Sequence, residues 1–149
     1  ELLDSLVDRI DSPKDLESLP DPAKFFFSVG IFESDRMNGG TSQAFSNSTG
    51  DFIPWVKQGY KAIGDTDRLN FIEKVCALFG TNGPSTDRET RNLQMEKMHP
   101  PFSDQVAKWE DAEHPETKNP KRIPTSILLC RYAAKNAASL RPLLKDGSK

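Results

Sequence analysis

The chain has 149 residues, of which 36% are hydrophobic and 28% charged, with a formal net charge of −2. That length can bury a core in one domain without disulfide or metal staples. A pI near 5.7 argues against a dedicated nucleic-acid binder, whose affinity comes from concentrated positive charge. No run of about 18 apolar residues is present, which excludes a membrane-spanning helix, and the basic opening and apolar stretch of a secretion signal are missing, so a cytoplasmic protein is expected.

Charge is distributed unevenly. Residues 1–35 hold nine acidic and three basic side chains, whereas 120–149 hold one acidic and seven basic. The two ends are expected to attract each other, within the fold or between subunits.

Leu3, Leu6, Val7 and Ile10 make an apolar stripe, with Glu1, Asp4, Asp8 and Asp11 on the other side, which predicts a short helix with an acidic back. Ser12-Pro13 starts a second short segment ending before Pro20, so residues 1–20 read as a peripheral helical segment. Asp21-Pro22 opens a longer helix through Phe25, Phe26, Val29 and Phe32. A strand reading of Phe25 to Ile31 is disfavoured by Gly30 and by the lack of a partner strand. Asn38-Gly39-Gly40 should stop that helix, because glycine turns the chain without steric cost.

A half-helix follows over Thr41 to Ser46, then a turn at Asn47-Ser48-Thr49-Gly50. Asp51 reads as the N-cap of a helix through Ile53, Val56, Tyr60 and Ile63, closed by Gly64. Asp65-Thr66-Asp67 opens the next, with Leu69, Ile72, Val75, Cys76 and Phe79 on one face. Thr86 and Glu89 have capping-box spacing for a helix that carries only Leu93, Met95 and Met98 among charges, and it should be largely exposed. Its methionines suit a pliable binding surface or a groove cover.

His99-Pro100-Pro101 ends that helix, and Phe102, Val106 and Trp109 mark another. Residues 114–124 read as a long loop. The last helix runs from about Thr125, with Leu129, Tyr132, Ala133, Asn136 and Leu140 on one face, to Pro142. The sum is an all-α fold, a compact single domain over 1–149 of about seven or eight short helices.

Catalytic signatures are missing. His99 and His114 lack the spacing that puts two ligands on one helix face, Cys76 and Cys130 have no nearby cysteine partner, and no glycine-rich phosphate loop or Gly-x-Ser-x-Gly elbow occurs. No catalytic, cofactor-binding or metal-binding residue is assigned, no cofactor is expected, and both thiols should be reduced.

The run from Glu33 through Asn38-Gly39-Gly40, Phe45, Asn47-Ser48-Thr49-Gly50-Asp51 and Ala62-Ile63-Gly64 resembles a bacterial all-α family that includes a DNA-mimic protein. The likeness extends from about Phe25 to about Leu140, and includes Asp87-Arg88-Glu89 and Tyr132. Asn38, Gly39, Gly40, Asn47, Gly50 and Asp51 carry it, and each has a turn or capping role. The resemblance implies a non-enzymatic, regulatory protein-interaction domain, a monomer or homodimer, whose partner is a protein of the DNA-binding kind, with no direct contact to nucleic acid or membrane. With 22 acidic against 20 basic residues the chain lacks the acidity of a full mimic. Asp4, Asp8 and Asp11 are the expected contact residues. The alternative is an enzyme whose site is assembled from dispersed carboxylates and hydroxyls.

Overall fold

The computed structural model describes residues 2–113, 119 and 121–144, and every element among them is helical. In order they are α1 (Leu2–Val7), a 3-10 segment (Pro13–Ser18), α2 (Asp21–Ser46), a 3-10 segment (Ser48–Phe52), α3 (Ile53–Ile63), α4 (Thr66–Ala77), α5 (Arg88–Glu96), α6 (Phe102–Glu113), α7 (Thr125–Lys135), α8 (Ala137–Leu140) and a final 3-10 segment (Arg141–Leu143). The all-α expectation holds. The loop expected over 114–124 falls largely outside the described residues.

Helix α2 is the axis of the molecule, contacting α1, α3, α5, α6, α7, α8 and the segment Ser48–Phe52. It is two arms and an elbow. Gly39 (φ −147°, ψ 16°) and Gly40 (φ 82°, ψ 172°) leave helical geometry where the double glycine was expected to stop the helix. Gly40 occupies a region that a side chain would strain. The second arm begins at Thr41, whose backbone N–H and hydroxyl both donate to Glu110 Oε1 of α6, the N–H at 3.1 Å. Glu110 thereby caps a helix to which it is not joined, placing a carboxylate where the free amides and helix dipole favour one.

The elbow decides where Phe45 goes. Its buried ring stacks on Phe79 (5.8 Å between centroids) and packs edgewise or tilted against Phe32 (5.9 Å) and Phe102 (5.6 Å). Four aromatic rings from α2, α6 and the turn after α4 therefore share one hub, so a few large side chains carry much of the burial in a chain of modest hydrophobic content. Leu6, Ile10 and Leu16 from the first twenty residues belong to the same core, and α1 also touches the segment Arg141–Leu143. Helix α1, from the acidic end, and the segment Arg141–Leu143, from the basic end, are thus neighbours within one copy.

Three local expectations are corrected. Asp87, not Thr86, caps α5, accepting from Thr90 N at 2.8 Å, because an ionised carboxylate at this position outcompetes a hydroxyl one residue earlier. The last helix breaks at Asn136 (φ −106°, ψ 22°), before Pro142 is reached, where the Asn136 amide donates to Tyr132 O at 2.8 Å and competes with the helical ladder. Cys130 is exposed, while Cys76 is buried as its apolar face implied; both are free thiols.

Candidate functional site

Helix α5 has too few apolar residues to hold itself down by hydrophobic burial, and a guanidinium does it instead. Arg91 has no exposed surface. Its Nε donates to Phe45 O at 2.6 Å, Nη1 to Ser85 O at 2.8 Å, and Nη2 to Asn47 O and Asp51 Oδ1, both at 2.8 Å. The planar fork thus ties the end of α2, the Asn47–Asp51 turn and the lead-in to α5 together. Gly50 makes this possible: a Cβ there would lie 2.5 Å from Phe45 O and 2.7 Å from two Arg91 nitrogens. The expected exposure of α5 therefore fails at its centre.

Asp51 does not cap α3 as expected. The N-cap position is Phe52, without a side-chain cap bond, because the Ser48–Phe52 segment leads straight into α3 and turns the Asp51 carboxylate toward Arg91. Asn47 and Thr49 serve a second hub, Asp35, which accepts from Asn47 Nδ2 (3.0 Å), Thr49 Oγ1 (2.7 Å) and Gln43 Nε2 (3.0 Å). Burial alone would raise the Asp35 carboxyl, but those donors outweigh it and hold the group below its ordinary value. Of the motif residues, Gly39 and Gly40 make the elbow, Asn47, Gly50 and Asp51 seat Arg91, and Asn38 is exposed beside α1.

A second ionic cluster joins α2, α3, α4 and the lead-in to α7. The Glu33 carboxylate accepts from Arg36 Nε (3.1 Å) and Nη2 (2.9 Å), and from the Tyr60 hydroxyl, and lies 3.9 Å from Arg68 Nε. Asp65, the N-cap of α4, accepts from Arg68 N (3.3 Å), from Thr125 Oγ1 (2.6 Å) and from Arg122 Nη2. Burial pushes the Glu33 carboxyl up, but the hydrogen bonds and charge of Arg36, with Arg68 and Tyr60 behind, bring it below its ordinary value. Tyr60 moves well above the usual phenol range through burial and the adjacent carboxylate. An ionised acceptor is therefore matched to a protonated donor.

An open cleft of about 710 Å³ borders this cluster, lined by Leu3, Gly30, Glu33, Arg36, Met37 and Leu129 among others. Its one carboxylate has both oxygens engaged and no proton to give, which suits bracing more than acid–base chemistry. Among the described residues no three His, Cys, Asp or Glu side chains gather so as to hold a metal ion, and no helix is long and apolar enough to cross a membrane. His99 is exposed; His114 lies outside the described residues.

The proposed contact residues Asp4, Asp8 and Asp11 are all exposed, but they do not form one helical face. Helix α1 ends at Val7, so only Asp4 lies within it. Asp8 follows in the turn, and Asp11 donates its N–H to Asp15 Oδ2 at 3.0 Å in the approach to the next segment. Asp15 also accepts from Ser12 N at 2.8 Å, in the capping box that starts the Pro13–Ser18 segment.

Helices packed about one kinked axis, with ionic groups used as internal braces, place the molecule among all-helical scaffold domains. Within that class the sequence allows a narrower assignment. The chain belongs to the DMP19-like protein family, whose model matches residues 17–136. The matched region contains both ionic clusters and the whole motif, and leaves out Asp4, Asp8 and Asp11. No curated protein and no solved structure matches the chain.

Proposed function

We propose that this chain is a non-enzymatic protein-interaction domain with a regulatory role, and that it meets a cationic partner of the DNA-binding-protein kind through its acidic N-terminal side. One observation carries the reading. All six carboxylates between residues 4 and 21, namely Asp4, Asp8, Asp11, Asp15, Glu17 and Asp21, are exposed, against two exposed cations, Arg9 and Lys14. The engagement of Glu33, Asp35, Asp51 and Asp65 with internal partners favours a binder over an enzyme of dispersed carboxylates, since these groups are committed to structure.

The acidic surface is short for a DNA mimic. A duplex carries about one negative charge per 1.7 Å of axis, whereas α1 spans about 9 Å at 1.5 Å per residue and holds one described carboxylate. Contact with a cationic protein therefore gains steering and specificity more than tight affinity, and weakens as salt rises.

The test is capture from native lysate on immobilised protein, with captured proteins identified by mass and eluted in a salt gradient. The variant D4N/D8N/D11N should retain helicity by circular dichroism and lose most of a cationic partner, with the remainder eluting at lower salt. Equal capture by parent and variant would refute the acidic-side assignment.

A further inference from the structure

The chain contains two Asn-Gly pairs, Asn38-Gly39 at the elbow and Asn82-Gly83 in the connection before α5. An asparagine before glycine is able to modify itself, because the glycine amide nitrogen carries no Cβ beside it to block its approach to the asparagine side-chain carbonyl carbon. Closing that ring requires the asparagine backbone to rotate well away from helical ψ, so the surroundings decide which pair reacts. Asn38 is held in place. It keeps helical φ/ψ while Gly39 and Gly40 depart, and the Gln43 side chain, pinned to Asp35 Oδ1 at 3.0 Å, roofs Gly39 so closely that a Cβ there would lie 2.0 Å from Gln43 Oε1. Asn82 is exposed in a turn between α4 and α5, and its side chain makes no hydrogen bond among the described residues. Gly83 has a φ of +67° with open space where a Cβ would stand, and its N–H is held by one turn bond to Gly80 O at 3.1 Å.

From this contrast we infer that Asn82 is a self-modification site at which the folded chain deamidates, while the fold protects Asn38. The Gly83 nitrogen gives its proton to water and bonds to Asn82 Cγ; the bond from Cγ to the side-chain nitrogen breaks, ammonia leaves, and a succinimide ring remains. Water then opens the ring. Attack at the side-chain carbonyl gives aspartate, and attack at the backbone carbonyl gives isoaspartate, in which the chain runs through the former side chain and gains one backbone atom. Both products add a negative charge. The position matters because the residues that follow tether α5: Gly83 O accepts from Gln94 Nε2 at 3.3 Å, Ser85 N donates to Gln94 Oε1 at 2.9 Å, and Ser85 O accepts from Arg91 Nη1 at 2.8 Å. An added backbone atom ahead of Gly83 puts these bonds out of register, so the iso form loosens the lead-in to α5.

The site shares no residue with Asp4, Asp8 and Asp11, and its test needs no partner. The folded protein is aged in mildly alkaline buffer, and the tryptic peptides 75–88 and 37–57, which contain Asn82 and Asn38, are followed for a gain of one dalton localised by fragmentation. Asn82 should convert at least about tenfold faster than Asn38, equivalent to about 1.4 kcal/mol in the barrier. In urea-unfolded protein the two rates should converge, since the fold alone separates them. Asn82→Asp carries the charge without the extra backbone atom and should keep the parent's urea midpoint, whereas the purified iso form should show a lowered one. Comparable rates at the two sites in the folded chain, or a rate ratio that persists on unfolding, would overturn the inference; an iso form with the parent's midpoint would overturn its link to α5.

Discussion

Arg91 and Arg68 are both buried, at 0% and 1% exposure, and they sit in opposite kinds of environment. Arg91 is held mainly by neutral backbone carbonyls, with one carboxylate. Arg68 faces the Glu33 carboxylate and shares its surroundings with Arg36 and Arg122; burial lowers its pKa, Glu33 opposes that, and the two neighbouring cations add to it. The difference teaches that a buried guanidinium works in two ways. Seated by carbonyls it acts as a fixed rivet between segments, and its position is set by geometry. Set among charges, its stabilising effect follows the ionisation of its neighbours and hence pH.

The sharpest way to break the comparison is at Arg91. Replacement by alanine strands three carbonyls and a carboxylate in a cavity, and should cost about 3–5 kcal/mol in urea unfolding. Arg91→Lys keeps the charge but not the fork, and should recover less than half of that loss; full recovery would mean that charge, not geometry, holds the seat. Next comes Gly50→Ala, which forces a Cβ against Phe45 O and Arg91, at an expected cost of about 2–4 kcal/mol. Part of its effect should persist in an Arg91→Ala background, because the Phe45 carbonyl stays 2.5 Å from the added Cβ, and the part owed to Arg91 should disappear; a fully additive double-mutant cycle would remove the link between the two residues.

At the second cluster the expected signature is in the pH dependence. The Glu33 carboxyl titrates below its ordinary value of 4.5 in the folded chain. Its contribution is thus fully present above the unfolded pKa and is lost as pH falls through the lower folded value. Glu33→Gln should cost about 2–3 kcal/mol at neutral pH and should narrow its gap to the parent as pH drops from about 4.5 downward. A gap constant from pH 6 to 3 would show that the carboxylate is not the coupled group. The smallest effect is expected at the elbow: Glu110→Gln keeps an acceptor oxygen but loses the charge at the Thr41 amide, and should shift stability by about 0.5–1 kcal/mol.

What could be read in the sequence followed local rules. Ile53, Val56, Tyr60 and Ile63 recur at helical spacing and are buried together, and the double glycine breaks α2 where its φ freedom implied. The misread positions are those where one residue type has two uses. Asp51 has the look of a cap, and only the distant Arg91 shows it to be an ion-pair partner. Arg91 itself lies in a charged helix, and hydropathy counts a guanidinium as wet whether or not carbonyls surround it. A signal was present: Leu93, Met95 and Met98 share no stripe that could anchor α5, so something polar had to do it. Nothing local joins Asp65 to Arg122 across 57 positions.

The family match adds a division of labour along the chain. Residues 17–136 carry the matched scaffold, while Asp4, Asp8 and Asp11, proposed for partner contact, precede it. Replacement of residues 1–16 should accordingly alter partner choice, subject to Leu6, Ile10 and Leu16 being kept, since all three are buried in the core.

The cap that α6 supplies to the second arm of α2 also bears on how the chain reaches its fold. Thr41 and Glu110 are 69 positions apart, so the direction of residues 41–46 is not a property of α2 alone and cannot be settled when that helix first forms. Before α6 arrives, the second arm is tied to the first by the Asp35 hub and by Phe45 against Phe32, but the Glu110 cap and the Phe102 face of the hub are missing. Completing the elbow is thus a late, long-range closure step, of the kind that slows an otherwise locally wired helical protein. A chain cut before Phe102 would be expected to form the first arm of α2 and leave its aromatic hub unassembled.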